Sequence, residues 1–395
     1  MDKEYDVIVV GAGPGGSTAA RYAAMGGAKT LLIEKRQEIG THVRCGEGLA
    51  RGLLDQAKIP IDRTWIAAEM DGARVISPGG FTFEVDEAKA GNEVGYVIER
   101  DLFDRALAKL AGEAGAHIYI KTAARSIIKE NGKIVGLKII SQGEPMEVRC
   151  KIIIGADGYE SQVGRWAGID TNLAESDIMT CVQYRLTNIE VDPKYTEFYA
   201  GSSAPGGYIW IFPKSANTAN VGLGLGAHIV KEGGDPKRYL DAWIAKNPKM
   251  KNAQQLDMIA GGCSINAPLD SVVCDQVMLV GDAARMIDPM TGGGIAHACL
   301  SGMEAGKVAA EAIKLGDYSK EFFQKYEKAW RSELEEKLFR NWMAKEKAMT
   351  LSDETFDTLI SLLDKVGMDN ISVINILKAL HEHHPELLKE FEDLL

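Results

Sequence analysis

The sequence has no stretch approaching 18 uninterrupted apolar residues, so no helix able to cross a bilayer is expected. It has no paired cysteines. Cys45, Cys150, Cys181, Cys263, Cys274 and Cys299 are scattered without a C-x-x-C. That spacing excludes a zinc ribbon and an iron–sulfur cluster, and it points to reduced thiols in a cytoplasmic protein. Basic charge is also short. Lys and Arg number 45 against 56 Asp and Glu, a net charge of −11. Nucleic-acid binding is not expected from such a chain, nor is attachment to anionic lipid by bulk charge. The opening MDKEYDVIVV runs from acidic residues directly into an apolar strand, which is not the form of a secretory leader. There is no internal repeat and no low-complexity tract, and no metal site is expected.

Glycine is what the chain has in excess. It contributes 42 of 395 residues, about 11% against a usual share of about 7%. At about 150 residues per domain, the length suggests two or three domains. Residues 5–10 read as a buried parallel strand, 11–16 as a glycine turn, 17–25 as a helix, and 29–33 as a second buried strand ending at Glu34. Together these form one βαβ unit. A hairpin is expected over 72–85, turning at Pro78-Gly79-Gly80, and an amphipathic helix over 100–115 with Leu102, Phe103, Ala106, Leu107 and Leu110 on one face. Strands are expected through 117–155, with a turn at Asn131-Gly132, and through 178–226. A further strand over 277–281 leads into a helix from about Ile295 to Leu315, and the chain is helical and charged from Ser319 onward.

The pattern gives an α/β fold in three parts. A discontinuous Rossmann-like domain takes 1–70, 96–170 and 273–318. An inserted antiparallel sheet takes 71–95 and 171–272. A helical region takes 319–395.

Gly11-Ala12-Gly13-Pro14-Gly15-Gly16 fits G-x-G-x-x-G between a strand and a helix, with an acid at the end of the next strand. Gly11 permits the tight turn, Gly13 lets backbone approach a pyrophosphate, and Gly16 permits close helix–strand packing. The helix N-terminus favours the anion, and Glu34 suits ribose hydroxyls. A second glycine-rich turn, Asp288 to Ile295, follows Gly281-Asp282, and Asp282 is placed for a ribityl hydroxyl. With Asp157-Gly158 and Arg100 at the start of its helix, these four motifs resemble, in order, those of the FAD-containing flavoprotein hydroxylases (the p-hydroxybenzoate hydroxylase-like fold). FAD is the implied cofactor. For Asp157 a plain helix cap stays open, and for Arg100 a surface charge.

Two further stretches, Arg44-Cys45-Gly46-Glu47-Gly48-Leu49 and Pro205-Gly-Gly-Tyr208-Ile-Trp210-Ile-Phe212-Pro213-Lys214, look like the CGEG loop and the Y-x-W-x-F-P-K signature of the geranylgeranyl reductase family. The long tail resembles that family's archaeal lipid branch. The resemblance implies an FAD-dependent reductase that saturates C=C bonds in the geranylgeranyl chains of an isoprenoid glycerophospholipid. As cofactor contacts it implies Gly11, Gly13, Gly15, Gly16, Glu34, Arg44, Cys45, Gly46, Gly48, Arg100, Ala124, Asp282, Gly293, Gly294 and Ile295, with Gly46 and Gly48 letting backbone approach the flavin ring. Tyr208, Trp210 and Phe212 alternate, so they share one strand face and can wall an apolar channel. The same pattern suits a sheet core.

Burying such a substrate matters. At about 0.8 kcal/mol per methylene, a chain of about twenty carbons costs on the order of 15 kcal/mol to expose. An apolar cavity between the inserted sheet and the flavin is expected, opening at the membrane surface. An isolated alkene accepts hydride only with a proton donor and water excluded. Cys45 is the catalytic candidate, and Glu47 and His297 are other acids. No second dinucleotide fingerprint appears, so the electron donor is NAD(P)H bound transiently or a ferredoxin-type protein. A halogenase W-x-W-x-I-P signature is absent. The alternatives are a monooxygenase or halogenase on this scaffold, or a non-catalytic prenyl-lipid binder. For peripheral membrane contact the C-terminal helical region is one candidate, through Leu338, Phe339, Trp342 and Met343 with Lys337, Arg340, Lys345 and Lys347 alongside; packing of the four apolar residues on the sheet domains, with the charges in water, is the other reading.

Overall fold

In the computed structural model, which describes residues 1–86, 95–366 and 373–385, Val7–Val10 is a wholly buried strand at the centre of a six-stranded sheet. Its apolar residues suit a position covered on both faces. It pairs in parallel with Thr30–Ile33 and with Ile152–Gly155, placing Ile8 opposite Leu31 and Ile153. His117–Tyr119 extends one side in parallel, as does Val277–Leu279 on the other, and Val273–Cys274 closes that edge antiparallel. The sheet is therefore assembled from segments far apart in the chain.

Two helices pack closely over it, Pro14–Met25 and Ile295–Leu315. The contact depends on glycine. A Cβ on Gly306 would stand 2.5 Å from Ala19 O and 2.8 Å from Tyr22 Cβ. The Asn131-Gly132 turn joins Thr122–Glu130 to Lys133–Ser141 with both residues at positive φ, 50° and 80°. This is the conformation of a tight hairpin turn.

The inserted sheet has seven strands in the order Gln254–Ser264, Ile178–Thr187, Thr218–Leu225, Ile209–Ser215, Tyr195–Tyr199, Gly72–Ile76 and Thr82–Asp86. The period of two divides its residues between two environments. Ile209, Ile211, Val221 and Leu223 join Leu240 of the helix Pro236–Lys246 in a closed core. Tyr208, Trp210 and Phe212 face the other way, into a cavity. A small sheet of Gly48–Ala50, Gly95–Ile98 and Ile66–Glu69 bridges to the helix Arg100–Glu113. That helix buries Phe103, Asp104, Leu107, Ala108 and Ala111. Leu102, expected on its apolar face, is instead exposed, because the buried stripe takes in Asp104, Ala108 and Ala111 beside Phe103 and Leu107.

The helix Lys320–Ala348 packs Phe323, Tyr326, Trp330, Leu334 and Leu338 into the core of the parallel sheet. Tyr326 donates to Leu279 O at 2.7 Å. Asp353–Val366 then crosses to the inserted sheet, where Ile360 meets Phe83 and Val85. Asp353 accepts from Ser202 N at 2.8 Å and Asp357 from Gly79 N at 2.6 Å. Residues 87–94 of the expected sheet segment, and 367–372 and 386–395 of the expected helical region, lie outside the described residues.

Candidate active site

A cavity of about 1190 Å³ runs from the first glycine turn to the inserted sheet and on to the C-terminal bend. At one end Gly13 and Gly15 line it, at the N-terminus of the helix Pro14–Met25. A Cβ on Gly13 would meet nothing within 4 Å, so that surface is open for a ligand. Gly11 and Gly16 do other work. Gly11 has φ +103°, and a Cβ on Gly16 would overlap Gly11 O. Strand and helix are therefore in backbone contact. Glu34 Oε2 accepts from Ala12 N at 3.1 Å and Oε1 from Arg36 N at 2.9 Å, which fixes the carboxylate beside the turn. Ala124 lies in Thr122–Glu130, paired with Ile139, and does not line the cavity.

Arg100, Asp282 and the Cys45 thiol form the polar centre. All three line the cavity, with Gly293, Gly294 and Ile295 at the second glycine turn. Arg100 Nε donates to Asp104 Oδ1 at 2.7 Å. Burial opposes its charge, but Asp104, Cys45 and Asp282 hold its pKa above the guanidinium range. This cation is largely buried, its side chain 20% exposed, and is not a free surface charge. Burial pushes the Asp282 carboxyl up while Arg100 pulls it down. Burial likewise raises the Cys45 thiol, with Arg100 opposing. Asp157 does cap a helix, accepting from Val163 N at 2.9 Å. Its other oxygen is buried without a partner among the described residues. An open glycine surface at a helix N-terminus and a largely buried arginine are what a dinucleotide with a pyrophosphate needs. The residues present fit FAD.

The opposite wall is aromatic. Tyr208, Trp210 and Phe212 lie in sequence on one face, with ring centroids 5.8 and 6.4 Å apart, and Phe198 sits 5.5 Å from Phe212. Tyr208 precedes its strand and donates its hydroxyl to Thr291 O, tying the wall to the second glycine turn. Trp210 Nε1 donates to Gln183 Oε1 at 2.8 Å, and Gln183 Nε2 donates to Cys45 O at 3.1 Å. Gly46 and Gly48 have a second reason besides the one expected. A side chain at either would run into Phe212, so these glycines make room for the aromatic wall. Arg44 is exposed at the cavity, its side chain against Gly261.

Neither alternative acid is arranged as a proton donor. Glu47 does line the cavity, but its carboxylate accepts from Arg185, Lys214 and Asn220 side chains and from Arg100 N. His297 is buried and donates Nδ1–H to Met286 O at 3.1 Å.

Sequence reasoning missed Gln183, Arg185 and Asn220, which hold the Cys45 loop from the inserted sheet. Only their alternation opposite the aromatic strand could have hinted at it. It also missed Cys181 and Cys263, which share the cavity wall with Cys45, and the bend at Met349–Phe356 that closes one end of it.

Comparison with known proteins agrees with this geometry. A family model described as geranylgeranyl reductase catalytic domain matches residues 177–263, and one described as FAD dependent oxidoreductase matches 6–204. The chain is 51% identical over 393 residues to the digeranylgeranylglycerophospholipid reductase of Thermoplasma acidophilum, covering 99% of both chains. It is 46% identical over 397 residues to the one from Picrophilus torridus, covering 100% of both. The crystal structure of a geranylgeranyl bacteriochlorophyll reductase-like protein from Thermoplasma acidophilum superposes with a TM-score of 0.93 at 51% identity, covering 100% of both chains. A flavin-dependent brominase superposes with a TM-score of 0.73 at 21% identity, covering 96% of this chain and 99% of its own, which shows a shared fold.

Proposed function

The chain belongs to the digeranylgeranylglycerophospholipid reductase family of FAD-dependent oxidoreductases, and from that premise we propose how its cavity saturates an isoprenoid chain. The supporting observation is one continuous cavity with a dinucleotide cradle at one end, an aromatic wall at the other, and Cys45 between them. Gly13, Gly15, Arg100, Asp282, Gly293 and Gly294 would hold FAD, with Glu34 at the adenosine ribose. Bound and reduced, FAD supplies two electrons and a hydrogen as hydride.

The protein's share is the proton and the exclusion of water. An alkene that gains hydride at one carbon needs a proton at the other, so that two hydrogens add in all. The Cys45 thiol borders both ends of the cavity. Its raised pKa keeps it protonated at neutral pH and makes it a weak acid. Transfer is then concerted with hydride arrival, because full charge separation in an apolar cavity is costly. Tyr208, Trp210 and Phe212 align the chain and keep water out.

The lipid reaches the cavity from a membrane by peripheral contact. Among the described residues no helix is long and apolar enough to cross a bilayer. The exposed Phe339 and its neighbour Trp342, with ring centroids 5.6 Å apart, supply an apolar edge. They stand on the helix whose last turn lines the cavity through Lys345 and Ala348. Leu338 is not part of this edge, because it is buried in the core.

The test is anaerobic. Dithionite-reduced protein is incubated with an unsaturated digeranylgeranyl phospholipid, and the lipid should gain two mass units per double bond saturated. A lipid left unchanged while the flavin is reduced would count against the reductase reading. A product that forms only when O₂ is admitted would instead favour an oxygenase.

A further inference from the structure

Three consecutive residues of the Cys45 loop are held from the inserted sheet, and most of the bonds converge on Glu47. Its side chain is 1% exposed, two residues beyond Cys45. Oε2 meets Lys214 Nζ at 2.8 Å, Arg185 Nη2 at 2.9 Å and Asn220 Nδ2 at 2.6 Å. Oε1 accepts from Arg100 N at 2.8 Å. Asn220 Nδ2 also donates to Gly46 O at 3.1 Å, and Gln183 Nε2 to Cys45 O at 3.1 Å. Glu99 shares the same two cations, 3.1 Å from Arg185 and 3.2 Å from Lys214.

Two features distinguish this cluster from ordinary fold glue. Glu47 has φ +74°, a conformation that residues with a Cβ seldom adopt unless their surroundings impose it. Its backbone N–H then points at Cys45 Sγ, 3.2 Å away. The carboxylate clamp therefore sustains the turn that directs a hydrogen bond onto the thiol. Lys214 lies four residues beyond Trp210 on the same strand, which bulges between Pro213 and Ser215. Its ammonium is 5% exposed and also donates to Ile98 O. The strand that supplies the aromatic wall thus ends in the cation that fixes the thiol's loop.

We propose that Glu47 is a positioning residue for Cys45, held in place by Lys214 and Arg185. The lysine of the aromatic strand serves the thiol and does not bind lipid. This rests on the reading of Cys45 as proton donor. The cluster sets the thiol's direction through the N–H aimed at sulfur, and its proton affinity through the Glu47 carboxylate, whose charge raises the thiol pKa more than that N–H lowers it. A buried carboxylate that loses one of its two cations is left with uncompensated charge and reorganises. The turn at Glu47 would relax, and Sγ would leave its place beside the flavin end of the cavity.

The experiment compares the FAD-loaded wild type with Glu47→Gln, Lys214→Met, Lys214→Arg and Cys45→Ser, and with Glu47→Gln and Lys214→Met each in the Cys45→Ser background. Each protein is first checked for folding by thermal melt and flavin content, and Lys214→Arg keeps the cation if Lys214→Met fails to fold. Two readouts follow: the single-turnover rate of alkene saturation, and the pH profile of Cys45 alkylation by iodoacetamide, read on the Cys45 peptide by mass spectrometry so that Cys181 and Cys263 are counted separately. We expect Glu47→Gln to slow saturation at least tenfold with Cys45 present and less than twofold in the Cys45→Ser background, and to move the alkylation profile to lower pH, because the carboxylate charge that favours the protonated thiol is gone. Lys214→Arg should recover most of the rate lost in Lys214→Met. Equal slowing in both backgrounds would overturn the proposal and leave the cluster as scaffold. If Cys45→Ser itself leaves saturation undiminished, the proton-donor reading fails. The alkylation profile then decides the positioning, and an unmoved profile in Glu47→Gln overturns that too.

Discussion

Phe212 Cε2 lies 2.8 Å from the point where a Cβ on Gly46 would stand, and 3.1 Å from the same point on Gly48. The CGEG loop and the aromatic strand are therefore a fitted pair, and neither can change size alone. Gly46→Ala should destabilise the protein by about 1–3 kcal/mol through overpacking. Phe212→Leu in the same chain should restore much of that by vacating the space. Thermal melting of the two single variants and the double variant checks it. A double variant whose loss equals the sum of the singles would show that the two positions do not touch in solution.

Cys45 gives a pH signature. Burial raises its thiol pKa above the ordinary value of about 8.5. A step that needs the protonated thiol is therefore fully active at neutral pH, and its rate falls as pH rises through the raised pKa. Cys45→Ser should be slower throughout and lack that alkaline fall, because serine does not titrate in the range. Single-turnover saturation between pH 6 and 11 on prereduced protein would show it. The same alkaline fall in both proteins would assign it to another group.

Glu34 holds Ala12 N and Arg36 N with its two oxygens, and each oxygen keeps capacity for a ribose hydroxyl. Glu34→Gln retains shape but loses the charge and one acceptor. FAD binding should weaken by about 1–3 kcal/mol, roughly a factor of 5 to 150 in Kd at 1.4 kcal/mol per decade. Flavin fluorescence released on dialysis measures this. Retention equal to wild type would remove Glu34 from the cofactor site.

The first βαβ unit was legible because each of its signals is local: an apolar run, glycines at fixed spacing, and a closing acid. The hairpin at Pro78-Gly80 and the helix from Ile295 to Leu315 were legible for the same reason. The aromatic wall could be read from alternation alone. The Glu47 cluster could not, because its partners come from positions 99, 185, 214 and 220, joined only when two sheets pack. Leu102 was misassigned because a helix face read from apolar letters is blind to which neighbour it meets. The buried stripe takes in Asp104, Ala108 and Ala111 beside Phe103 and Leu107. The contact of Gly46 and Gly48 with Phe212 is not legible in the sequence, which shows that a Cβ is missing and never what fills its place.

Not all of the basic residues expected to assist membrane contact are available for it. Lys345 is buried beside Glu346, with which it pairs, and Arg340 lies 3.7 Å from Glu336. With Lys345 withdrawn, the apolar side chains are the feature to test. Phe339 is 48% exposed, and Trp342 and Met343 are partly so. An interfacial aromatic pair inserts its rings at the headgroup level, with little dependence on anionic lipid. Phe339→Ser with Trp342→Ser should then reduce co-sedimentation with neutral and anionic liposomes alike. It should also slow turnover of lipid presented in vesicles while sparing turnover of lipid presented in detergent micelles. Because neither residue is fully buried, the variant should keep its flavin and its melting temperature within a few degrees. Undiminished binding and vesicle turnover would leave the helix as scaffold and move the membrane-facing surface elsewhere. A loss confined to anionic vesicles would instead mean that charge governs the contact.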